Sequence, residues 1–266
     1  MFIKNSDIDF LINIVEITGK EIKTFFKSNN NDVKIKKSLF YDSPVTNADA
    51  LANSIICDSL IQKYPDIPIV SEEYTNNHDS SKRENFNLFW LVDPLDGTKE
   101  FIKGIPEFTI NIALIKDNYP ILGIVHNPIE FISYYAYLGT GSHLYNHFTK
   151  NKNKIKCSEF NIKKKGVKII CSRSHLDEMT NDFIKQFNNA NIVQCGSSLK
   201  FIKISLGYVD IYPRFTPCME WDTAASQIIV EEAGGLIIDL ETKRRMKYNK
   251  KNLKNNNLIC IGSLKK

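Results

Sequence analysis

The sequence predicts an α+β first half joined to an α/β second half. Three observations carry this expectation. Residues 9–27 and 49–61 show apolar positions at helical spacing, and short apolar runs of strand length follow them between 69 and 136. From residue 167 onward, strand-length runs alternate with helix-length stretches. The composition, 42% hydrophobic and 24% charged over 266 residues, is that of a globular chain with enough apolar material for a core. At about 150 residues per domain, this length suits one large domain or two modest ones. The sequence suggests a division into 1–148 and 149–266.

The first helix carries Leu11, Val15, Thr18, Ile22 and Phe25/Phe26 on one face. The second carries Ala52, Ile55/Ile56 and Leu60, and Pro65 and Pro68 end it. Ile69-Val70 is a short strand running into Ser71-Glu72-Glu73. Residues 88–92 are a buried strand running into Asp93. Residues 108–115 and 121–126 are strands around Lys116-Asp117-Asn118-Tyr119-Pro120, a hairpin. Residues 131–136 extend that sheet, and Gly139-Thr140-Gly141 closes it. The polar, lysine-rich stretch 146–156 is expected to be a loop at the domain boundary. Beyond it, strands are expected at 167–171, 192–195, 209–212, 236–239 and 258–261. Helices are expected at 176–188, 197–206 and 222–233, the last stopped by Gly234-Gly235.

The net charge is +5, from 35 Lys+Arg against 30 Asp+Glu, and much of the lysine lies in asparagine-rich patches. Basic residues interleaved with aromatics on one face, the footprint of duplex binding, are missing. A mild positive field suits small polyanions instead. The six cysteines are scattered, without C-x-x-C pairs or zinc spacing, and read as reduced core thiols. No apolar run approaches the ~18 residues of a membrane span. Asp7 and Asp9 at the N-terminus do not fit a secretory signal. The expected location is cytoplasmic, with peripheral membrane contact left open. The oligomeric state is left open too.

The sharpest chemical feature is Asp93-Pro94-Leu95-Asp96-Gly97-Thr98. It follows a buried strand, so both carboxylates emerge at a strand end. Pro94 stiffens the turn, and Gly97 lets backbone approach a ligand closely. Thr98 and Lys99 would open a short helix, whose N–H groups suit a phosphate. Two aspartates beside a phosphate repel it and each other, and a hard divalent cation resolves that conflict. Glu72 follows another strand end, Asp222 begins a helix after Trp221, and Asp49 precedes one. Each alone could be a cap or solvated surface. Together they fit a multi-metal phosphatase site, with ions about 3.5–4 Å apart.

Val70-Ser71-Glu72-Glu73, residues 90–101 (WLVDPLDGTKEF) and Trp221-Asp222-Thr223-Ala224-Ala225 resemble the signatures of the inositol monophosphatase superfamily, in the right order along the chain. The resemblance implies a layered αβαβα sandwich and a magnesium-dependent, lithium-sensitive phosphatase using two to three ions. It implies metal contacts from Glu72, Asp93, the Leu95 carbonyl, Asp96 and Asp222, with a third, weaker ion near Glu72. It casts Asp49 and Thr98 as the pair orienting the attacking water, and Gly97 and Thr98 as the cradle of the scissile phosphate.

Within the superfamily, inositol phosphatases resemble G-S-A-A-L near Gly196-Ser197-Ser198-Leu199-Lys200 and carry a glutamate near Arg214. Here Lys200 and Arg214 are cations, suited to a second phosphate. Cys171-Ser172-Arg173-Ser174-His175 adds further donors after a strand. This set closely resembles the bacterial 3'(2'),5'-bisphosphate nucleotidase branch of sulfate assimilation, which converts adenosine 3',5'-bisphosphate to AMP and phosphate. By this resemblance His175, Ser197, Lys200 and Arg214 hold the nucleoside and the 5'-phosphate. Glu220, beside the metal cluster, is unexplained. Alternatives are an inositol or sugar phosphatase, cleavage of very short RNA, and a nucleotide-binding regulator without turnover. The regulator should lack a carboxylate at Asp93, Asp96 or Asp222, and none is lacking.

Overall fold

The computed structural model describes residues 3–28, 34–36, 43–74, 79–163, 165–173 and 177–265. Among them, seven strands form one sheet, in the order Ile69–Ser71, Leu88–Asp96, Thr109–Lys116, Tyr119–Asn127, Ile132–Tyr137, Ser142–Asn146, Lys152–Ile155. Only its first pair is parallel. Period-2 alternation splits its side chains between two cores. Trp90 and Val92 face one with Ile110, Ile112 and Leu114, while Phe89 and Leu91 face the other with Ala113 and Ile115. Because both faces are covered, residues 88–92 read as an unbroken apolar run.

Helices Asn5–Ser28 and Asn47–Lys63 cover the first face through Leu11, Val15, Ile22, Ala52, Ile56 and Leu60. Helices Leu199–Ser205 and Ala224–Glu232 cover the second. The fit there is close: a Cβ on Gly123 would stand 2.5 Å from the Ala225 carbonyl. A six-stranded mixed sheet lies beyond, ordered Asn191–Cys195, Lys168–Ser172, Ile211–Arg214, Leu258–Ile261, Leu236–Asp239, Arg244–Arg245. Its Ile170, Tyr212, Leu258 and Cys260 join the central core. Its Ile169, Ile211 and Ile261 pack with Phe183 and Ile184 of the outer helix Glu178–Lys185. The layers therefore run αβαβα, as the family resemblance implies.

Several expectations need correction. Gly139-Thr140-Gly141 turns the chain without closing the sheet, since strands Ser142–Asn146 and Lys152–Ile155 follow it. Part of the expected 146–156 loop is thus an edge strand. The 222–233 helix begins at Ala224, and Glu220–Asp222 form a 3-10 turn before it. The 209–212 strand lies at Ile211–Arg214, which carries Arg214 into the sheet. The expected hairpin turn is present, with Asp117 and Asn118 at φ 49° and 67°.

Candidate active site

The site starts from an irregularity in the Leu88–Asp96 strand. Asp93 pairs with Asn111 and Asp96 with Thr109, so the strand carries one residue more than its partner. Pro94, which has no N–H to offer a ladder, sits in this bulge. Leu95 buries its side chain in the core, and its carbonyl accepts a hydrogen bond from Thr98 Oγ1 at 3.1 Å. Gly97 then takes φ +93°. A Cβ there would stand 2.9 Å from the Glu107 carbonyl, so glycine is required by conformation and by space. Helix Thr98–Ile102 opens at the expected residue.

This geometry gathers carboxylates. Asp93 is 1% exposed. Burial first, then the charges of Glu72, Asp96, Asp222 and Asp49, push its carboxyl well above the usual range. Asp222 is pushed up to about 6 by burial and by Asp96, against the pull of Arg214. Asp49 is also raised to about 6 by burial, its hydrogen bonds to Thr46 working the other way. Asp49 accepts from the Thr46 N–H at 2.7 Å through Oδ2, capping its helix, while Oδ1 accepts from Thr98 Oγ1 at 3.3 Å. The cap and the expected Thr98 partnership are thus one residue's two oxygens. Glu72 is placed by its own N–H, which donates to the Val92 carbonyl at 3.1 Å.

Asp96 is held by the second half of the chain. Its Oδ2 accepts from Ser197 Oγ at 2.7 Å, the Ser198 N–H at 2.6 Å and Ser198 Oγ at 2.7 Å. Ser198 Oγ also lies 2.9 Å from the Asp222 carbonyl and accepts from Asn111 Nδ2 at 3.0 Å. Ser197, with φ +55°, stands 2.7 Å from Thr109 Oγ1. The sequence singled out Ser197 for the nucleoside and overlooked Ser198, Thr109 and Asn111. A signal was present: Thr109 and Asn111 are polar positions two apart on an otherwise apolar strand.

The two expected cations both lie at Tyr212, Lys200 near its ring and Arg214 at its hydroxyl. Lys200 is 3% exposed, donates to the Ser197 carbonyl at 2.6 Å and lies 5.4 Å from the Tyr212 ring centre. Arg214 Nη1 donates to the Tyr212 hydroxyl at 3.3 Å, and its Nη2 lies 3.7 Å from Asp222 Oδ2. Arg173, one of the expected donors, grips Glu107 through two nitrogens at 2.7 and 2.9 Å. Glu107 also accepts from the Gly196 N–H at 2.7 Å, which locks residue 196 beside Gly97. His175 lies outside the described residues.

Among the described residues, no three Asp, Glu, His or Cys side chains converge as a ready-made metal cage. Magnesium does not need one, because it keeps several waters and takes one or two carboxylates with phosphate oxygens. The donors here are all hard oxygens, and the buried Asp93 carboxylate feels four other negative charges. That donor set fits a hard divalent cation.

Known proteins point the same way. The bisphosphate nucleotidase CysQ of Salmonella typhimurium is 39% identical over 76% of this chain and 78% of its own. CysQ of Haemophilus influenzae is 30% identical over 92% of this chain and 88% of its own. The crystal structure of CysQ from Bacteroides thetaiotaomicron superposes with a TM-score of 0.79 at 29% identity, covering 97% of each chain. An IMPase of Thermotoga maritima superposes at 0.78 with 26% identity, over 96% of this chain and 92% of its own. The family model described as "Inositol monophosphatase family" matches residues 4–263, and the chain belongs to that family.

Proposed function

We propose that this chain is a magnesium-dependent, lithium-sensitive 3'(2'),5'-bisphosphate nucleotidase that hydrolyses adenosine 3',5'-bisphosphate to AMP and phosphate, with 3'-phosphoadenylyl sulfate as a second substrate. The observation that carries it is the pair of cations, Lys200 and Arg214, meeting at Tyr212 beside Asp222. Two fixed cations next to the reacting centre suit a substrate with a second phosphate, which an inositol monophosphate lacks. The relatives named CysQ support the same branch.

Glu72, Asp93, the Leu95 carbonyl, Asp96 and Asp222 would hold the ions. Magnesium supplies positive charge for the phosphate oxygens and a more acidic water. With its one hydroxyl proton turned from the Leu95 carbonyl to Asp49 Oδ1, Thr98 Oγ1 would accept a hydrogen bond from that water and align it with the 3'-phosphorus. The N–H groups of Gly97 and Thr98 would hold the scissile phosphate. Ser197 and Lys200, with Arg214 and His175, would hold the nucleoside and the 5'-phosphate. Residues 1–148 then carry most of the metal ligands, and 149–266 carry the substrate-reading residues and the last ligand, Asp222. The six cysteines are free and buried, which suits a reducing cytoplasm. Among the described residues, no helix is long and apolar enough to cross a membrane.

A phosphate-release panel with magnesium tests the reading. Adenosine 3',5'-bisphosphate should exceed 3'-AMP and inositol 1-phosphate in kcat/KM. Inositol 1-phosphate in first place would assign the chain to the sugar phosphatases, and no turnover of any member would leave a binding protein.

A further inference from the structure

Glu220 is fully buried, two residues before Asp222. A buried carboxylate persists only with strong partners. Here Oε1 accepts from the Lys250 N–H and from Lys250 Nζ, both at 2.8 Å, and Oε2 accepts from the Asn249 N–H at 2.7 Å. The Glu220 N–H donates to the Leu253 carbonyl at 2.8 Å. Glu220 therefore ties both its backbone and its side chain to the segment 249–253. That segment has its own bends, with Asn249 and Leu253 at φ 70° and 56°.

The far side of the same segment is gripped by Arg83, which is 1% exposed. Arg83 donates through Nη1 to Asn249 Oδ1 and through Nη2 to the carbonyls of Lys250 and Lys251 at 3.2 and 3.1 Å. Asn249 Nδ2 returns a bond to the Arg83 carbonyl at 2.9 Å. Arg83 ends the short helix Ser80–Arg83, which lies between the strand leading to Glu72 and the strand carrying Asp93. A continuous chain of contacts thus runs from Arg83 through residues 249–251 to the 3-10 turn Glu220–Asp222.

We infer that Glu220 is a positioning residue. By clamping its turn to the 249–253 segment, itself clamped by Arg83, it sets where the Asp222 carboxylate stands relative to Asp93 and Asp96. This rests on the proposed reading of Asp222 as a metal ligand. A neutral side chain of equal shape at 220 leaves one backbone N–H without an acceptor and removes the charge that Lys250 Nζ faces, although that ammonium keeps the Lys247 carbonyl and Asn255 Oδ1. The turn then loses its fixed seat while Asp222 itself is intact.

The test uses the full chain with Glu220→Gln, Arg83→Lys and, as reference, Asp222→Asn. Magnesium binding is measured by titration calorimetry without substrate, together with the magnesium concentration for half-maximal phosphate release, KM and the urea midpoint. Glu220→Gln should bind magnesium about 10- to 100-fold more weakly, the usual range for a lost supporting contact. Excess magnesium should restore kcat to within about threefold, and KM should hardly move. Arg83→Lys, which keeps the charge but not the fork, should shift magnesium binding in the same direction by less, and it carries the test if Glu220→Gln does not fold. Wild-type magnesium affinity in the folded Glu220→Gln chain, or in Arg83→Lys where that carries the test, overturns the inference. So does a lower urea midpoint with a kcat that excess magnesium cannot restore, because that is a purely structural role. Lost binding in Asp222→Asn beside unchanged binding in Glu220→Gln removes this inference alone. Unchanged binding in Asp222→Asn removes the metal reading, and this inference with it.

Discussion

Lys200 is a buried cation whose ammonium donates to a carbonyl, whereas Arg214 stands against the Asp222 carboxylate. That difference decides which of the two is the cleaner probe of specificity. Arg214→Glu would place a second negative charge beside Asp222, so it would damage metal binding for every substrate. Lys200→Met keeps the length and apolar stem and removes only the charge. A charge-assisted contact to phosphate is worth about 1.5–3 kcal/mol, or roughly 10- to 150-fold. Lys200→Met should lower kcat/KM for adenosine 3',5'-bisphosphate by about that factor and change 3'-AMP by less than about threefold. Equal losses on both substrates would make Lys200 a structural residue. Asp93 supports a second prediction at this scale. Burial and four neighbouring charges raise its carboxyl, so its charge opposes folding when no cation is present. Asp93→Asn should abolish phosphate release while leaving the thermal midpoint without magnesium unchanged or higher. A lower midpoint would show that Asp93 holds the fold together through contacts that its charge does not oppose. The carboxylates were legible in the sequence because their motifs are contiguous. Ser198 and Asn111 were not, because their bond to each other spans 87 positions and exists only once the halves pack.

Strand ends and bulges place the site, and their legibility varied with burial. Residues 88–92 and 258–261 were readable because apolar side chains on both faces leave an unbroken run. The strand Lys152–Ile155 was not, because it forms an exposed edge carrying lysines that discourage further pairing. Its polarity resembles that of a loop. Arg244–Arg245 ends the second sheet in the same manner. The helix starting at Ala224 was read two residues too early because the preceding 3-10 turn continues the helical spacing. At Gly97 the element itself makes a prediction. Left-handed backbone strains a residue with a Cβ by about 1–2 kcal/mol, and the collision with the Glu107 carbonyl adds to that. Gly97→Ala should therefore lower the urea-unfolding free energy by at least about 1 kcal/mol and reduce kcat/KM together with it. An alanine variant with wild-type stability and activity would show that the bulge relaxes without consequence.

Across the whole molecule, the halves meet at Asp96, Ser197 and Ser198, while helix Asn5–Ser28 is secured at a different place. His147 Nδ1 and Glu16 Oε2 are 2.9 Å apart, joining helix Asn5–Ser28 to the sheet side. His147 Nε2 lies 2.8 Å from Ser133 Oγ, which lies 2.9 Å from His126 Nδ1. His126 is fully buried, and a Cβ on Gly19 would collide with its Nε2, so the helix rests directly on the ring. Neither histidine could be placed from sequence, since lone histidines in strands and turns carry no spacing signal. Burial, then the neighbouring His147, holds His126 well below 6.5. The unfolded chain therefore binds a proton that the folded chain refuses, and this contribution to stability is full above about pH 6.5 and declines as pH falls. Glu16 acts in the same direction at lower pH. Burial pushes it up, but hydrogen bonds from Lys20, His147 and Lys150 prevail and hold it at about 2, so its contribution is lost between about 4.5 and 2. Asp49 and Asp222, raised to about 6, act the opposite way without metal, gaining stability as pH falls. A bare pH profile would mix these effects, whereas the difference between wild type and His126→Gln cancels the carboxylates. Glutamine stays neutral at every pH, so the wild type should lose stability relative to the variant as pH falls from 6.5 to 5.0. The limiting slope is about 1.4 kcal/mol per pH unit, giving at most about 2 kcal/mol over that range. Urea unfolding at fixed temperature measures it, and the slope carries the prediction whatever the offset. A difference independent of pH across 6.5 to 5.0 would mean that His126 takes up its proton in the folded protein, with helix Asn5–Ser28 lifting at Gly19 off the His126 ring to admit it.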